Sequence, residues 1–174
     1  MNYKVPSILV FMAAAVLEVS LGGMASIYGI KPGLILISVY ALSVTGTEGK
    51  GLMYGALGGF IEDCLSGGFN GLFLSGYAIV GFLAGKAGKR LFNIGESANF
   101  IGIFVLSLVQ GVYTALMMSA FIGGYDVVNA SLRFALPQAF YNAMAGALIL
   151  WLFKEQIARR TPWLKVIRQL RVRL

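Results

Sequence analysis

Apolar residues run through this chain in long blocks that polar residues only punctuate. The blocks cover residues 5–27, 32–46, 51–65, 71–88, 97–122 and 134–153. A helix needs about 20 mostly apolar residues to cross a hydrocarbon core. The first block and the last three meet or approach that length, and the second and third are short. Neither the alternation of a membrane barrel nor an internal repeat is present. The pattern therefore predicts an all-α integral membrane protein of six transmembrane helices. Short helices 2 and 3 can pair as a hairpin, because local thinning of the bilayer accommodates a short span. Residues 5–26 exceed the apolar core of a signal peptide and lack a convincing cleavage site, so they read as a retained first span.

Composition points the same way. The chain is 58% hydrophobic and 12% charged, with a mean hydropathy of +0.80, whereas a soluble domain carries about 25% charged residues. The 174 residues divide into one transmembrane domain, 1–155, and a basic tail, 156–174. That leaves no room for a separate soluble catalytic domain. Cys64 is the single cysteine, so no internal disulfide can form, and histidine is absent.

The net charge of +7 is distributed unevenly. With six spans, Lys4, Lys50, Lys86, Lys89, Arg90 and the seven basic residues from Lys154 to Arg173 share one side. Only Lys31 and Arg133 fall on the other. Basic loops stay in the cytoplasm, which places both termini there. A re-entrant 51–65 segment would leave five spans and turn the N-terminus outward, with the C-terminus cytoplasmic either way.

In the tail, Thr161-Pro162 is a helix start. Trp163, Ile167, Leu170 and Leu174 then fall on one helical face, with Lys165, Arg168, Arg171 and Arg173 mostly elsewhere. This is the pattern of an amphipathic helix lying in the interface against anionic lipids. The same helix could dock a cytoplasmic protein. The basic residues are only those a juxtamembrane helix needs and do not suggest nucleic acid.

Small residues recur at helical spacing. Gly51, Gly55 and Gly59 share one face, as do Gly81 and Gly85, and Ala139, Ala143 and Ala147. Such faces let helix backbones approach closely where lipid supplies no hydrophobic drive. They serve either packing within the bundle or a face left open for a partner's transmembrane helix. Pro137 lies near the start of the last block, tolerated in a first turn and kinking if deeper.

Ionisable residues inside apolar blocks carry the candidate chemistry, because each is costly in lipid. Glu18 lies mid-way along the first block, with Gln110, Tyr141 and Asn142 in other spans as candidate partners. Glu62 and Asp63 interrupt the third block, pointing about 100° apart on a helix, so they cannot face each other as an acid/base pair. They read either as structural acids, at a thinned outer interface or capping the neighbouring hairpin, or as a site for a partner's basic or amide group. Enzyme signatures are missing: there is no HExxH, no P-loop and no G-x-S-x-G elbow. No metal site or cofactor is suggested, and nothing points to an enzyme.

Residues 31–92 carry Pro32, then G-x-x-x-G-F-x-x-D-x-x-S-G over Gly55, Gly59, Phe60, Asp63, Ser66 and Gly67, then Gly71, Leu74, Gly81 and Gly85. Residues 136–153 place Pro137 and Asn142 in the last block. Together these resemble the rod shape-determining protein MreD family over nearly the whole chain. Glu62 and Phe69-Asn70 depart from the pattern. The resemblance implies a non-enzymatic scaffold of the bacterial inner (cytoplasmic) membrane that binds MreC, a single-span periplasmic protein, and links it to peptidoglycan synthesis. It implies RodA, a class B penicillin-binding protein and MreB filaments as further members of the elongation machinery. It also implies a fold similar to the six-helix substrate-binding subunits of energy-coupling-factor transporters.

That likeness supplies the alternative, a vitamin- or solute-binding subunit of such a transporter. Its pocket would draw on Phe69, Asn70, Phe73, Tyr77, Tyr125, Asp126 and Tyr141, and Ala13, Ala14 and Ala15 would form its small-residue contact face. The outer loops are short for a lid.

Overall fold

A computed structural model describes residues 7–21, 26, 30–67, 71–94, 96–122 and 126–160. They form helices α1 (Ser7–Leu21), α2 (Leu34–Val44), α3 (Glu48–Ser66), α4 (Leu72–Ile94), α5 (Glu96–Ile122), α6 (Val127–Ala130) and α7 (Leu136–Arg160), with no β-strand among the described residues. The expected all-helical class holds. Two helical stretches, Ser97–Phe121 and Val127–Leu152, are long and apolar enough to cross a membrane by length and composition. Ser7–Ser20, Leu34–Val44 and Leu72–Gly88 are shorter apolar helices. Asn70 and the tail residues Trp163, Lys165, Arg168, Arg171 and Arg173 lie outside the described residues, as do Phe69 and Tyr125.

The short α2 is the axis of the bundle. It packs against α1, α3, α4, α5 and α7, whereas α1 touches only α2 and α3 among the described helices. Ile35, Val39, Tyr40 and Val44 of α2 are buried, together with Phe11, Val80 and Ile103 around them. Around that core lies a belt of exposed apolar side chains, such as Leu9, Val16, Met53, Phe60, Ile101, Phe140 and Leu148. Exposed apolar surface on this scale suits a lipid surround and would be an aggregation liability in water.

α3 and α4 form an antiparallel pair joined back-to-back by glycine. A β-carbon at Gly51 would run into the carbonyl oxygen of Gly81, one at Gly55 into that of Tyr77, and one at Gly59 into that of Phe73. From the other side, a β-carbon at Gly81 would meet the Gly51 carbonyl, and one at Gly85 that of Thr47. The glycine faces of the two helices are thus filled by each other, which is the packing alternative for them. Ala139 and Ala143 are also fully buried inside the bundle, and Ala147 is partly buried. The turn between α3 and α4 uses left-handed glycines at both edges, Gly67 (φ 61°) as the α3 C-cap and Gly71 (φ 99°) before α4; L-residues with a β-carbon disfavour that region.

The last apolar helix begins at Val127, seven residues before the block read from the sequence. Asp126 starts it, accepting from the backbone N–H groups of Val128 (3.0 Å) and Asn129 (3.1 Å). One π-helical turn, Ser131–Ala135, then leads into α7. Pro137 explains that turn. It follows an uninterrupted helix, so it is a deep proline: it has no N–H, and its ring crowds the carbonyl of Arg133, four residues back. The widened turn just ahead of it, with the Leu136 N–H reaching Ser131 O, absorbs the misfit without breaking the helix. The same stretch packs against α5 where a β-carbon at Gly111 would overlap the Ala135 side chain.

Candidate functional site

The N-terminus of α2 lies inside the bundle and has no cap of its own, because Gly33 precedes it without a side chain. Its first N–H groups are orphan donors that need acceptors from elsewhere. Two other helices supply them. Glu18 Oε2 of α1 accepts from the Ile35 N–H at 2.9 Å. Asn142 Oδ1 of α7 accepts from the Gly33 N–H at 2.7 Å, while its Nδ2 donates to Ser107 Oγ of α5 at 3.2 Å. A carboxyl group at a helix N-terminus also meets the positive end of the helix dipole. Glu18 was expected to pair with the side chains of Gln110, Asn142 or Tyr141; its hydrogen bond goes to the α2 backbone instead. Asn142 shares that helix end with it.

A second helix end is capped the same way. Asp63, near the end of α3, accepts from the N–H groups of Gly71 (2.9 Å), Phe73 (3.0 Å) and Leu74 (3.0 Å) at the start of α4. Its residue is 4% exposed, and its two oxygens satisfy three orphan donors. Of the two readings of the acid pair, capping of the neighbouring helix describes Asp63.

Glu62 takes the other direction. One residue earlier on the same helix, it turns inward, and its Oε2 is buried without a hydrogen-bond partner. It lines a cavity of about 200 Å³ between α1, α2, α3, α4, α5 and the α6–α7 helix. Glu18 and Asn142 reach the same cavity, with Gln110, Ser107 and Gln138. Gln110 is 6% exposed. Its Nε2 donates to Thr114 Oγ1 at 3.2 Å, while its Oε1 has no partner. Gly76 of α4 makes room for that amide: a β-carbon there would overlap Gln110 Oε1. Phe73 and Tyr77 form part of the aromatic wall, their rings in edge contact at 5.8 Å.

Other sequence candidates fall elsewhere. Tyr141 does not line the cavity. Asp126 is exposed at the start of α6. The backbone N–H of Asn129, and then its side-chain amide, stabilise the Asp126 carboxylate and hold its pKa below the usual value. Gln138, Ser107 and Gly76 were not picked out from the sequence. Single polar or small residues in apolar helices look like packing until the neighbouring helices are placed.

Chemically, the cavity offers acceptors. Two carboxyl groups and a free amide oxygen line it, with no lysine or arginine among the lining residues. No group of three or more His, Cys, Asp or Glu side chains suited to a metal ion occurs among the described residues. No serine, threonine or cysteine in the lining stands in a hydrogen bond with a carboxylate that would activate it as a nucleophile.

No curated protein matches this chain, and no solved structure does either. A family model does: that of the rod shape-determining protein MreD, over residues 2–159. That match spans the buried helix caps, the glycine seam and the cavity alike, and the chain therefore belongs to the MreD family of rod shape-determining proteins.

Proposed function

We propose that this protein is a non-enzymatic scaffold of the bacterial elongation machinery, embedded in the inner membrane by six spans with both termini in the cytoplasm. The family match over residues 2–159 carries the reading. The charge distribution supports the orientation, since the connections at the cavity end carry only Lys31 and Arg133. The basic tail, 156–174, then lies along the cytoplasmic leaflet. The fold is related to the substrate-binding subunits of energy-coupling-factor transporters.

The protein binds a single-span MreC-like partner and, through it, meets the peptidoglycan-synthesising enzymes. The glycine faces of α3 and α4 are occupied by each other, so the partner helix docks on the apolar belt. The face of α7 with Phe140, Met144, Leu148 and Trp151 exposed is one such surface. Co-purification tests the proposal. MreC, or its transmembrane helix alone, is expected to be retained by the tagged protein, and failure of both to bind removes the adaptor role. Fusions of a cytoplasm- or periplasm-dependent reporter at each connection test the orientation.

The alternative, a vitamin-binding transporter subunit, draws support from the polar cavity at that end of the bundle. Its volume of about 200 Å³ argues against it, because pockets for drug-sized ligands occupy about 300–1,000 Å³. Mass spectrometry of denatured, purified protein decides: a stoichiometric vitamin would replace the scaffold reading.

A further inference from the structure

Two acceptors buried on the wall of the cavity have no donor within hydrogen-bonding distance. They are Glu62 Oε2 and Gln110 Oε1. Leaving a buried acceptor unmade costs roughly 1–3 kcal/mol, and two in one place point to an occupant. The shape of that occupant follows from the lining. It must bring N–H or O–H donors, because the two buried unpartnered atoms, Gln110 Oε1 and the oxygen of an ionised Glu62, only accept. It should bring positive charge, because Glu18 and Glu62 both face it and no basic side chain does. It must be small. A dry cavity of about 150 Å³ accepts a benzene molecule, so about 200 Å³ admits a group of a few heavy atoms.

We propose that this cavity receives one N–H-bearing cation, a primary ammonium or guanidinium group, with Glu62 Oε2 and Gln110 Oε1 accepting its hydrogen bonds. Glu18 is spent partly on the Ile35 N–H and contributes mainly charge. Exposed Phe134 and Gln138 stand at the rim of the cavity, on the helix that faces the apolar belt. The cation can therefore arrive either as the ethanolamine headgroup of a phospholipid or as a free soluble amine. Both present the same chemistry. Choline headgroups are positively charged but have no N–H, and the site discriminates against them.

The test uses the full chain purified in neutral detergent. Thermal unfolding is followed with ethanolamine and with propylguanidine, against tetramethylammonium (charge without N–H) and ethylene glycol (hydroxyls without charge). The two N–H cations are expected to raise the midpoint saturably and the two controls are not. Glu62→Gln and Gln110→Leu are each expected to weaken the apparent affinity at least tenfold. Glu62→Gln keeps the side-chain shape, so it serves where Gln110→Leu fails to fold.

Nanodiscs of phosphatidylethanolamine and of phosphatidylcholine separate the sources. Retention of phosphatidylethanolamine by the wild type but not by Glu62→Gln in native mass spectrometry assigns the lipid headgroup. A response to free ethanolamine without lipid retention assigns the soluble amine. Tetramethylammonium acting as well as ethanolamine overturns the proposal, as does unchanged binding in both variants. Loss of MreC retention in Glu62→Gln without any amine response also overturns it, and gives the cavity to a polypeptide side chain; the adaptor role would survive.

Discussion

The α3–α4 seam and the cavity beside it share a helix and obey opposite rules. In the seam, glycines bring backbone against backbone, and every β-carbon that could be added at Gly51, Gly55, Gly59 or Gly81 meets a carbonyl. The polar group at its end, Asp63, is fully used, with three backbone donors on two oxygens. In the cavity, side chains stand apart around open space, and acceptors remain free. Glu62 and Asp63 are consecutive, yet one belongs to each region. The comparison separates a structural acid, whose hydrogen bonds are complete within the fold, from an acid whose bonding is left open for something else.

The largest expected effect breaks the seam. Gly55→Val places a branched side chain against the Tyr77 carbonyl and should cost about 3 kcal/mol or more, since the obstruction is backbone and cannot rotate away. Chemical unfolding in detergent should show a lower midpoint, or no folded monomer at all. Next, Asp63→Ala leaves three N–H groups at the start of α4 without an acceptor and should cost roughly 2–3 kcal/mol. Glu62→Ala, one position away, should cost less than Asp63→Ala, within about 1 kcal/mol, because it removes an unmet acceptor. Equal losses for the two would erase the distinction drawn between them.

A loss between those of Asp63→Ala and Glu62→Ala is expected for Asn142→Leu. It removes the acceptor for Gly33 and the donor to Ser107 at a fully buried site, for about 1–3 kcal/mol. Hydrogen exchange at the start of α2 should accelerate more than exchange in α4. The smallest effect belongs to Asp126, an exposed cap. Because its carboxylate is stabilised in the fold, its pKa is below the unfolded value, so its contribution is present at neutral pH and fades as pH falls through the carboxylate range. Asp126→Ala should flatten that pH dependence and fray α6, leaving the cavity and the seam unchanged.

Much of the frame was legible from residue order. Block positions and the i, i+4 glycine spacing marked the helices and anticipated close packing, because both are properties of one helix at a time. The third helix, read as short, runs 19 residues from Glu48 to Ser66, because its first turn is polar and escapes an apolar count. The boundary of the last helix was missed by seven residues. Asp126 and the π turn before Pro137 carry the helix through a stretch that apolar content alone does not mark. The partner of Glu18 is hidden for a related reason: no side chain marks the uncapped backbone at Gly33–Ile35, where the demand for an acceptor is strongest.

Sequence by itself determined that this chain is all-helical and greasy on its outside, that its third and fourth helices carry glycine faces, and that a few acids would have to be compensated. Only the tertiary arrangement decided how. A helix fixes the angle between Glu62 and Asp63, but the neighbours set what each meets. The start of α4 lies in the direction of Asp63, and the space between six packed helices lies in the direction of Glu62. Hydrogen bonds between distant segments depend on that placement, and no local pattern encodes it.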